Sequence, residues 1–388
     1  MSVAPLKIDW ATGPHVTATS RALGEPDWLL AERHDALAKV LSLPGEPNQL
    51  FTPYHDLRAV DFGAIEPYSP TAIAADAGNA ALPDGAAALV HVEERRIVGR
   101  VLGPEAQAAG VVISTIEEAA RSQPDLLRPA IEGGISLPGD DAFGQVARAL
   151  SSVSIFVHVP DGVTLAQPIV LRWRHSAEGY GLISRTVVVL GKGAHATIFE
   201  EQLGAQWQDA VGPKQATSFW WGTTEVELAD GARLDFAGEQ DFGSATATFV
   251  TRKARVGADA TISWAVACVG SRFQRSRIDN ELEGRGASVK QAEIGFGDDK
   301  QLFDLTSYTR HSGEDTTSDL LSKGIFSGKS RGYIKGMIEI ARSAKGTDTF
   351  LGEFSMLLER TARSVTVPSL EIDQPNVRRA MHSSSVGP

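Results

Sequence analysis

A single cysteine limits the sulfur and metal chemistry that this sequence can perform alone. Cys268 is the only cysteine among 388 residues, so the chain can form neither an internal disulfide nor a zinc site that needs two or more of its own thiolates. Cys268 follows Trp264 and Val266 at alternating positions of a β-type segment, and alternate residues of a strand share one face. We therefore expect a buried core thiol at Cys268, with a role in sulfur chemistry as the alternative.

Two glycine-rich segments imitate nucleotide-binding loops. Residues 191–196 read GKGAHA after a β-type run, and residues 324–330 read GIFSGKS. The second segment is one residue short of the phosphate-loop spacing, and neither is followed by a helical pattern whose N-terminus would bind a phosphate. We therefore predict that the chain is not itself an enzyme that hydrolyses ATP.

Three cations alternate along another β-type segment, namely Lys329, Arg331 and Lys335. Because alternate side chains of a strand point the same way, we interpret them as an exposed basic edge, with contact to an anion or a partner protein as the alternative. The whole chain carries a net charge of −11, although Lys and Arg outnumber Asp and Glu by four within residues 321–388. This acidic balance argues against a nucleic-acid partner.

The elements that must position these residues change in character near residue 150. Residues 27–41, 113–131 (interrupted by Pro124) and 143–150 have apolar residues at helical spacing, so we expect a mixed, largely helical region over 1–150. From residue 153 short alternating runs recur between glycine- or alanine-containing corners, for example at residues 190–198, 228–236 and 256–262. Corners that return without intervening helices are typical of a parallel β-helix, which we place at 151–375, with about ten turns of roughly 20 to 25 residues. The rival fold is an antiparallel β-sandwich, but the chain has few of the turn sequences that its hairpins require.

Membrane insertion and secretion are not expected. No apolar run approaches the ~20 residues that span a bilayer, and the first residues lack the charged start and apolar stretch of a secretory signal. We therefore predict a cytoplasmic protein without a membrane partner. The same absence of a signal weakens the alternative function, a β-helix polysaccharide-active or carbohydrate-binding protein, which would also need a lateral groove of carboxylates.

Most of the chain resembles the SufB/SufD family of iron–sulfur cluster assembly scaffolds, and the motifs of its C-terminal third are the most specific. The resemblance rests on TSYTRHSGEDTTSDLLSKGIFSGKSRGYIKG at 306–336, PSLEI at 368–372 and AMHSSSVG at 380–387, with DWLLAERHDAL and FTPYHDL near the N-terminus. It implies a mainly β fold, a right-handed parallel β-helix with helical regions on both sides. It also implies a scaffold, not an enzyme. Residues 376–388 would then be the start of a C-terminal region, without the family's helical segment.

Two positions make the resemblance closest to SufD. SufB proteins carry a functional cysteine where this chain has Glu353, and SufD proteins carry a functional histidine that matches His382, which follows the last β-type segment. The resemblance implies that His382, and less firmly Glu353, is a cluster ligand or an interface residue, and imidazole can replace thiolate in iron–sulfur ligation.

The partners implied are a SufB-like subunit, a SufC-like ATPase that binds the missing helical segment, and a second copy of this chain when they are absent. The iron–sulfur cluster would be transient and shared with the partner chain, with none bound by the isolated chain. Any metal site at His382 would thus be completed by the partner chain.

Overall fold

The fold is built from six helices and twenty strands in the part of the chain that the structure describes. A computed structural model describes residues 3–131, 139–204 and 215–388. The helices are α1 Gly13–Leu23, α2 Asp27–Ser42, α3 Pro104–Ala108, α4 Ile116–Ser122, α5 Pro124–Ile131 and α6 Ala142–Leu150. Single turns of 3-10 helix lie at Thr52–Tyr54, Phe62–Ala64 and Ala77–Asn79.

The strands occupy most of the chain after residue 150. They are β1 Glu66–Pro67, β2 Ala88–Glu93, β3 Arg96–Leu102, β4 Val112–Ser114, β5 Val153–Val159, β6 Ile169–Arg174, β7 Tyr180–Leu190, β8 His195–Leu203, β9 Ser218–Leu228, β10 Arg233–Asp241, β11 Thr246–Val256, β12 Thr261–Cys268, β13 Phe273–Leu282, β14 Ser288–Gly297, β15 Leu302–His311, β16 Thr317–Phe326, β17 Arg331–Ile340, β18 Asp348–Leu357, β19 Arg363–Ile372 and β20 Arg379–Gly387.

The strands form two long sheets that face each other across the core. Sheet 1 runs β19-β17-β15-β13-β11-β9-β7-β5-β4, with β1 beside β7, and sheet 2 runs β20-β18-β16-β14-β12-β10-β8-β6-β2-β3. Every neighbouring pair is parallel except β2 with β3 and β4 with β5. Because successive strands alternate between the sheets, the chain winds as a parallel β-solenoid of about 8 turns, which confirms the expected fold class.

Each turn of the solenoid is longer than the sequence predicts. Thr246 pairs with Ser218, 28 positions earlier, and Arg331 pairs with Leu302, 29 positions earlier. The expectation of about ten turns of roughly 20 to 25 residues is therefore wrong. The reason is that each turn contains two strands of about ten residues as well as two corners, which together need about 28 or 29 residues.

The corner motifs do stack as the sequence predicts. Gly231 has a φ of 69° and Asp259, in the equivalent position one turn later, has a φ of 54°. This left-handed conformation favours glycine, and aspartate tolerates it. The amide of Gly231 donates to the carbonyl of Ala258 at 2.7 Å, and the amide of Asp259 donates to that of Arg285 at 2.8 Å. These bonds tie each corner to the next turn.

The helical region covers the outer face of sheet 1. The ring of Phe143 in α6 stacks on those of Trp221 and Phe249, with centroids 5.4 Å away in both cases. Buried charges join the same layers, since Arg185 of β7 contacts Glu32 of α2 at 2.9 Å and Glu225 of β9 at 2.7 Å. At the C-terminal end of the solenoid, β19 and β20 are the terminal strands of the two sheets among the described residues, and we call this end the free end.

Candidate functional site

Glu353 lies inside the solenoid close to its C-terminal end. Glu353 is 0 % exposed, and neither of its carboxylate oxygens has a hydrogen-bond partner within the described part of the chain. Burial raises the pKa of Glu353 to about 8. A Cβ at position 336 would lie 2.6 Å from Oε1 of Glu353, so Gly336 leaves room for the carboxyl group. A group with this pKa can hold or release a proton near neutral pH.

His382 lies on β20, the last strand of sheet 2, next to the strand that carries Glu353. His382 pairs with Leu351 of β18, and Ser384 pairs with Glu353. Residues in register on parallel strands point to the same face, so His382 shares the inward face with Glu353, about 8 Å away between Cα atoms for standard strand spacing. His382 is nevertheless exposed, because β20 is the last strand of its sheet.

The strand at His382 differs from what the sequence suggests. His382 was expected after the last β-type segment, but Arg379–Gly387 is itself a strand that pairs with β18. Pairing in sheet 2 therefore extends past the boundary expected at residue 375. The polar composition of the segment hides this strand, because an edge strand at the end of a solenoid needs few apolar residues.

Two more buried carboxylates lie on the same inward row of sheet 2 as Glu353. The register of the strands aligns Glu200, Glu293 and Glu353 through intermediate positions. Glu200 pairs with Arg252 of sheet 1 at 2.6 Å. Glu293 accepts a hydrogen bond from the Ser276 hydroxyl at 2.6 Å, and burial raises its pKa to about 7. Sequence reasoning missed this row, because only the register shows that residues so far apart are aligned.

Cys268 belongs to the same interior. It is 0 % exposed, which confirms the predicted core position. Burial raises the pKa of the Cys268 thiol, and the negative charge of Glu293 raises it further. The thiol is therefore protonated near neutral pH, whereas metal ligation and sulfur transfer need the thiolate.

The three basic candidates do not share one exposed edge, so that expectation is wrong. Lys329 is exposed in the corner before β17, and Arg331 is the exposed first residue of that strand. Lys335 is 1 % exposed, and its ammonium group lies 2.7 Å from Asp304 and 3.5 Å from Glu46. The N-terminal region thus covers Lys335, which the local sequence pattern does not reveal.

A polar groove of about 560 Å³ lies on the outer face of sheet 1. Four of its five carboxylates are paired with cations; for example, Asp279 contacts Arg277 at 2.8 Å and Glu339 contacts Arg310 at 3.1 Å. Carbohydrate hydrolysis instead requires a pair of carboxyl groups that act as acid and as base or nucleophile. The groove therefore gives no support to the carbohydrate alternative.

In the described part of the chain, metal-ligating side chains do not gather in groups of three. Across residues 3–131, 139–204 and 215–388, no three His, Cys, Asp or Glu side chains form a group that could hold a metal ion. In the same described ranges, no helix is long and apolar enough to cross a membrane.

Comparison with protein families identifies the class of protein that this fold and interior define. Residues 173–388 match the model of the SufBD core domain of the SUF system for FeS cluster assembly. The match covers more than half of the chain, including every strand from β7 onwards. The chain therefore belongs to the SufBD family of iron–sulfur cluster assembly proteins.

Relatives with this description are similar over most of the chain. An iron-sulfur cluster assembly SufBD family protein of Staphylococcus epidermidis is 22% identical over 93% of this chain and 79% of its own length. A chloroplastic SufBD family protein of Arabidopsis thaliana is 25% identical over 92% of this chain and 67% of its own length. A SufBD family protein of Synechocystis is 25% identical over 71% of this chain and 57% of its own length. These matches do not distinguish SufB from SufD.

Proposed function

We propose that this chain is a SufD-like scaffold subunit that pairs with a SufB-like chain and a SufC-like ATPase, and that a nascent iron–sulfur cluster forms at the subunit interface. One observation carries the proposal: at the free end of the solenoid, the buried acid Glu353 and the exposed imidazole of His382 share one face of adjacent strands. The cluster is cargo passing through this interface and not a resident cofactor of the chain.

The free end supports pairing with a second chain. Within the described residues, β19 and β20 are the terminal strands of their sheets, and each has one side without a paired strand. Such edges accept an added strand from another chain. A SufB-like partner, with a similar solenoid, would continue both sheets, and a second copy of this chain would do the same when that partner is absent.

The chemistry of the ligands also calls for a partner. Iron–sulfur clusters are held mainly by thiolates, and the only thiol here, at Cys268, is fully buried and protonated. We therefore assign the thiolates to the SufB-like chain, one ligand position to His382, and a proton-transfer role to Glu353. ATP hydrolysis belongs to the SufC-like partner, because residues 324–330 end in a corner followed by strand β17 and have no helix to bind a phosphate.

The test is cluster assembly by the three-chain complex with His382 changed. His382→Ala should reduce cluster formation at least fivefold, measured by the visible absorbance of the cluster after addition of ferrous iron and a sulfide source. The variant should still co-purify with both partners, and its unfolding free energy should stay within ~0.5 kcal/mol, as for an exposed side chain.

Ser385→Ala is the matched control, because Ser385 is exposed on the same strand but pairs with Phe354 and so lies on the opposite face. It should leave cluster formation unchanged. Normal assembly by His382→Ala would remove the ligand assignment. Failure of the wild-type chain to co-purify with SufB-like and SufC-like chains would remove the scaffold proposal itself.

A further inference from the structure

A basic pocket lies at one corner of the solenoid, beside the starts of β13, β15 and β17. Its volume is about 410 Å³, and Ala59 and Leu302 supply its apolar part. The polar side chains that line it are those of Asp56, Arg58, Arg272, Lys300, Lys329 and Arg331. Five of these six carry a positive charge, in a chain whose net charge is −11.

The winding of the solenoid concentrates these cations. Phe273, Leu302 and Arg331 are in register at the starts of β13, β15 and β17, so the residues just before them occupy equivalent corners of successive turns. Successive strands of a sheet lie about 4.8 Å apart. Arg272, Lys300 and Lys329 are therefore brought to the same corner, and the loop at 56–58 adds Arg58 from the side.

Nearby acids neutralise only part of this charge. Asp56 accepts two hydrogen bonds from the Arg58 guanidinium, at 2.8 and 2.6 Å, and the charge of Asp299 acts on Arg272. Arg272 also donates to the Lys300 carbonyl. Over the residues that the structure covers, no carboxylate lies within 4 Å of the charged groups of Lys300, Lys329 or Arg331. Their mutual repulsion is a cost that a bound anion would remove.

We propose that this basic pocket binds an oxyanion of the phosphate class with two or more negative charges, such as pyrophosphate or a phosphate ester. Its volume lies within the range of small-molecule sites. Arg331 supplies a planar guanidinium that can hold two phosphate oxygens at once, and Lys300 and Lys329 supply compact charges. The cations come from four separate segments and surround a cavity, which suits a compact anion better than an extended acidic peptide.

The test is calorimetric titration of the full chain with pyrophosphate, at constant ionic strength maintained with chloride. The double variant Lys329→Gln/Arg331→Gln should weaken binding by about tenfold or more. The matched control is Lys290→Gln/Lys323→Gln, which removes the same charge from two exposed positions on the outer face of sheet 2. The control should change the affinity by less than about twofold, and thermal unfolding should show that both variants are folded.

Three results would overturn the proposal. Pyrophosphate could bind no more tightly than chloride, or the control could lose as much affinity as the pocket variant, which would indicate a response to net charge alone. A glutamate-rich peptide could also bind more tightly than pyrophosphate and lose its affinity in the pocket variant. That result would identify the pocket as a docking site for an acidic protein segment.

Discussion

Glu353 makes the stability of the protein depend on pH in a direction that can be calculated. Burial raises its pKa from an ordinary value of 4.5 to about 8 in the folded state. Between these two values the folded chain keeps a proton at Glu353 that the unfolded chain has released. The stabilising contribution of this proton is complete below pH 4.5 and is lost as the pH rises through about 8.

The magnitude follows from the same two values. One pKa unit corresponds to about 1.4 kcal/mol, so the loss is about 3 kcal/mol at pH 7 and approaches roughly 5 kcal/mol above pH 8. Glu353→Gln keeps the size and polarity of the protonated side chain but cannot ionise. Relative to the wild type, this variant should therefore gain about 1.4 kcal/mol of unfolding free energy for each pH unit between pH 5 and 8.

Urea denaturation at pH 5, 6, 7 and 8 measures this difference. Glu314→Gln is the control, because it removes the same charge from an exposed carboxylate in a solenoid corner and leaves the interior unchanged. Glu293 titrates in wild type and variant alike, so its contribution cancels in the comparison. A constant difference between Glu353→Gln and the wild type across this range would refute the argument, since it would mean that Glu353 is ionised or solvated throughout.

Three further substitutions test the packing that positions the site. Gly336→Ala should cost about 1 to 3 kcal/mol, because its Cβ would meet the Glu353 carboxyl at 2.6 Å, whereas Gly238→Ala, with no contact below 3.5 Å, should cost little. Arg185→Met should cost about 3 to 5 kcal/mol, because it leaves the buried carboxylate of Glu225 without its cation and leaves Glu32 with Arg148 alone. Arg233→Ala, at a surface pair, should cost less than about 1 kcal/mol. Lys335→Glu should reduce the yield of soluble, folded protein before any partner is added, because it would place a third carboxylate beside the buried Glu46 and Asp304. Normal folding of this variant with weaker partner binding would contradict the prediction. Denaturation midpoints measure the stability of Gly336→Ala and Arg185→Met relative to their controls, Gly238→Ala and Arg233→Ala.

Local patterns predicted the repeating architecture but not the contents of its interior. The helix at Asp27–Ser42 and the stacked corners could be predicted, because each depends on residues that are close together in the sequence. In β14, however, Ile294 and Phe296 are 45 % and 42 % exposed while Glu293 is 0 % exposed. Hydrophobic alternation alone would have predicted that Ile294 and Phe296 face the core and that Glu293 faces solvent. The orientation of β14 is fixed by its register with β12 and β16, and the sequence of one strand does not reveal that register.

The cover over sheet 1 could not be predicted for a related reason. Lys335 pairs with Glu46, which is 289 positions earlier in the chain, and Arg185 pairs with Glu32, which is 153 positions earlier. No local spacing signals such a contact. The sequence pattern therefore does not distinguish the buried Lys335 from the exposed Arg331, which lies four positions earlier.

The two residues of the candidate site are held by the fold to different degrees, and this allows their roles to be separated. Glu353 is enclosed by strands on both sides and by the backbone at Gly336, so a change there alters packing and proton binding together. His382 is attached through a single neighbouring strand and is exposed on the free side of β20. Its side chain contributes little to the stability of the solenoid. Loss of cluster assembly in a His382 variant would therefore report on chemistry at the interface, whereas a Glu353 variant has to be interpreted together with its pH-dependent stability.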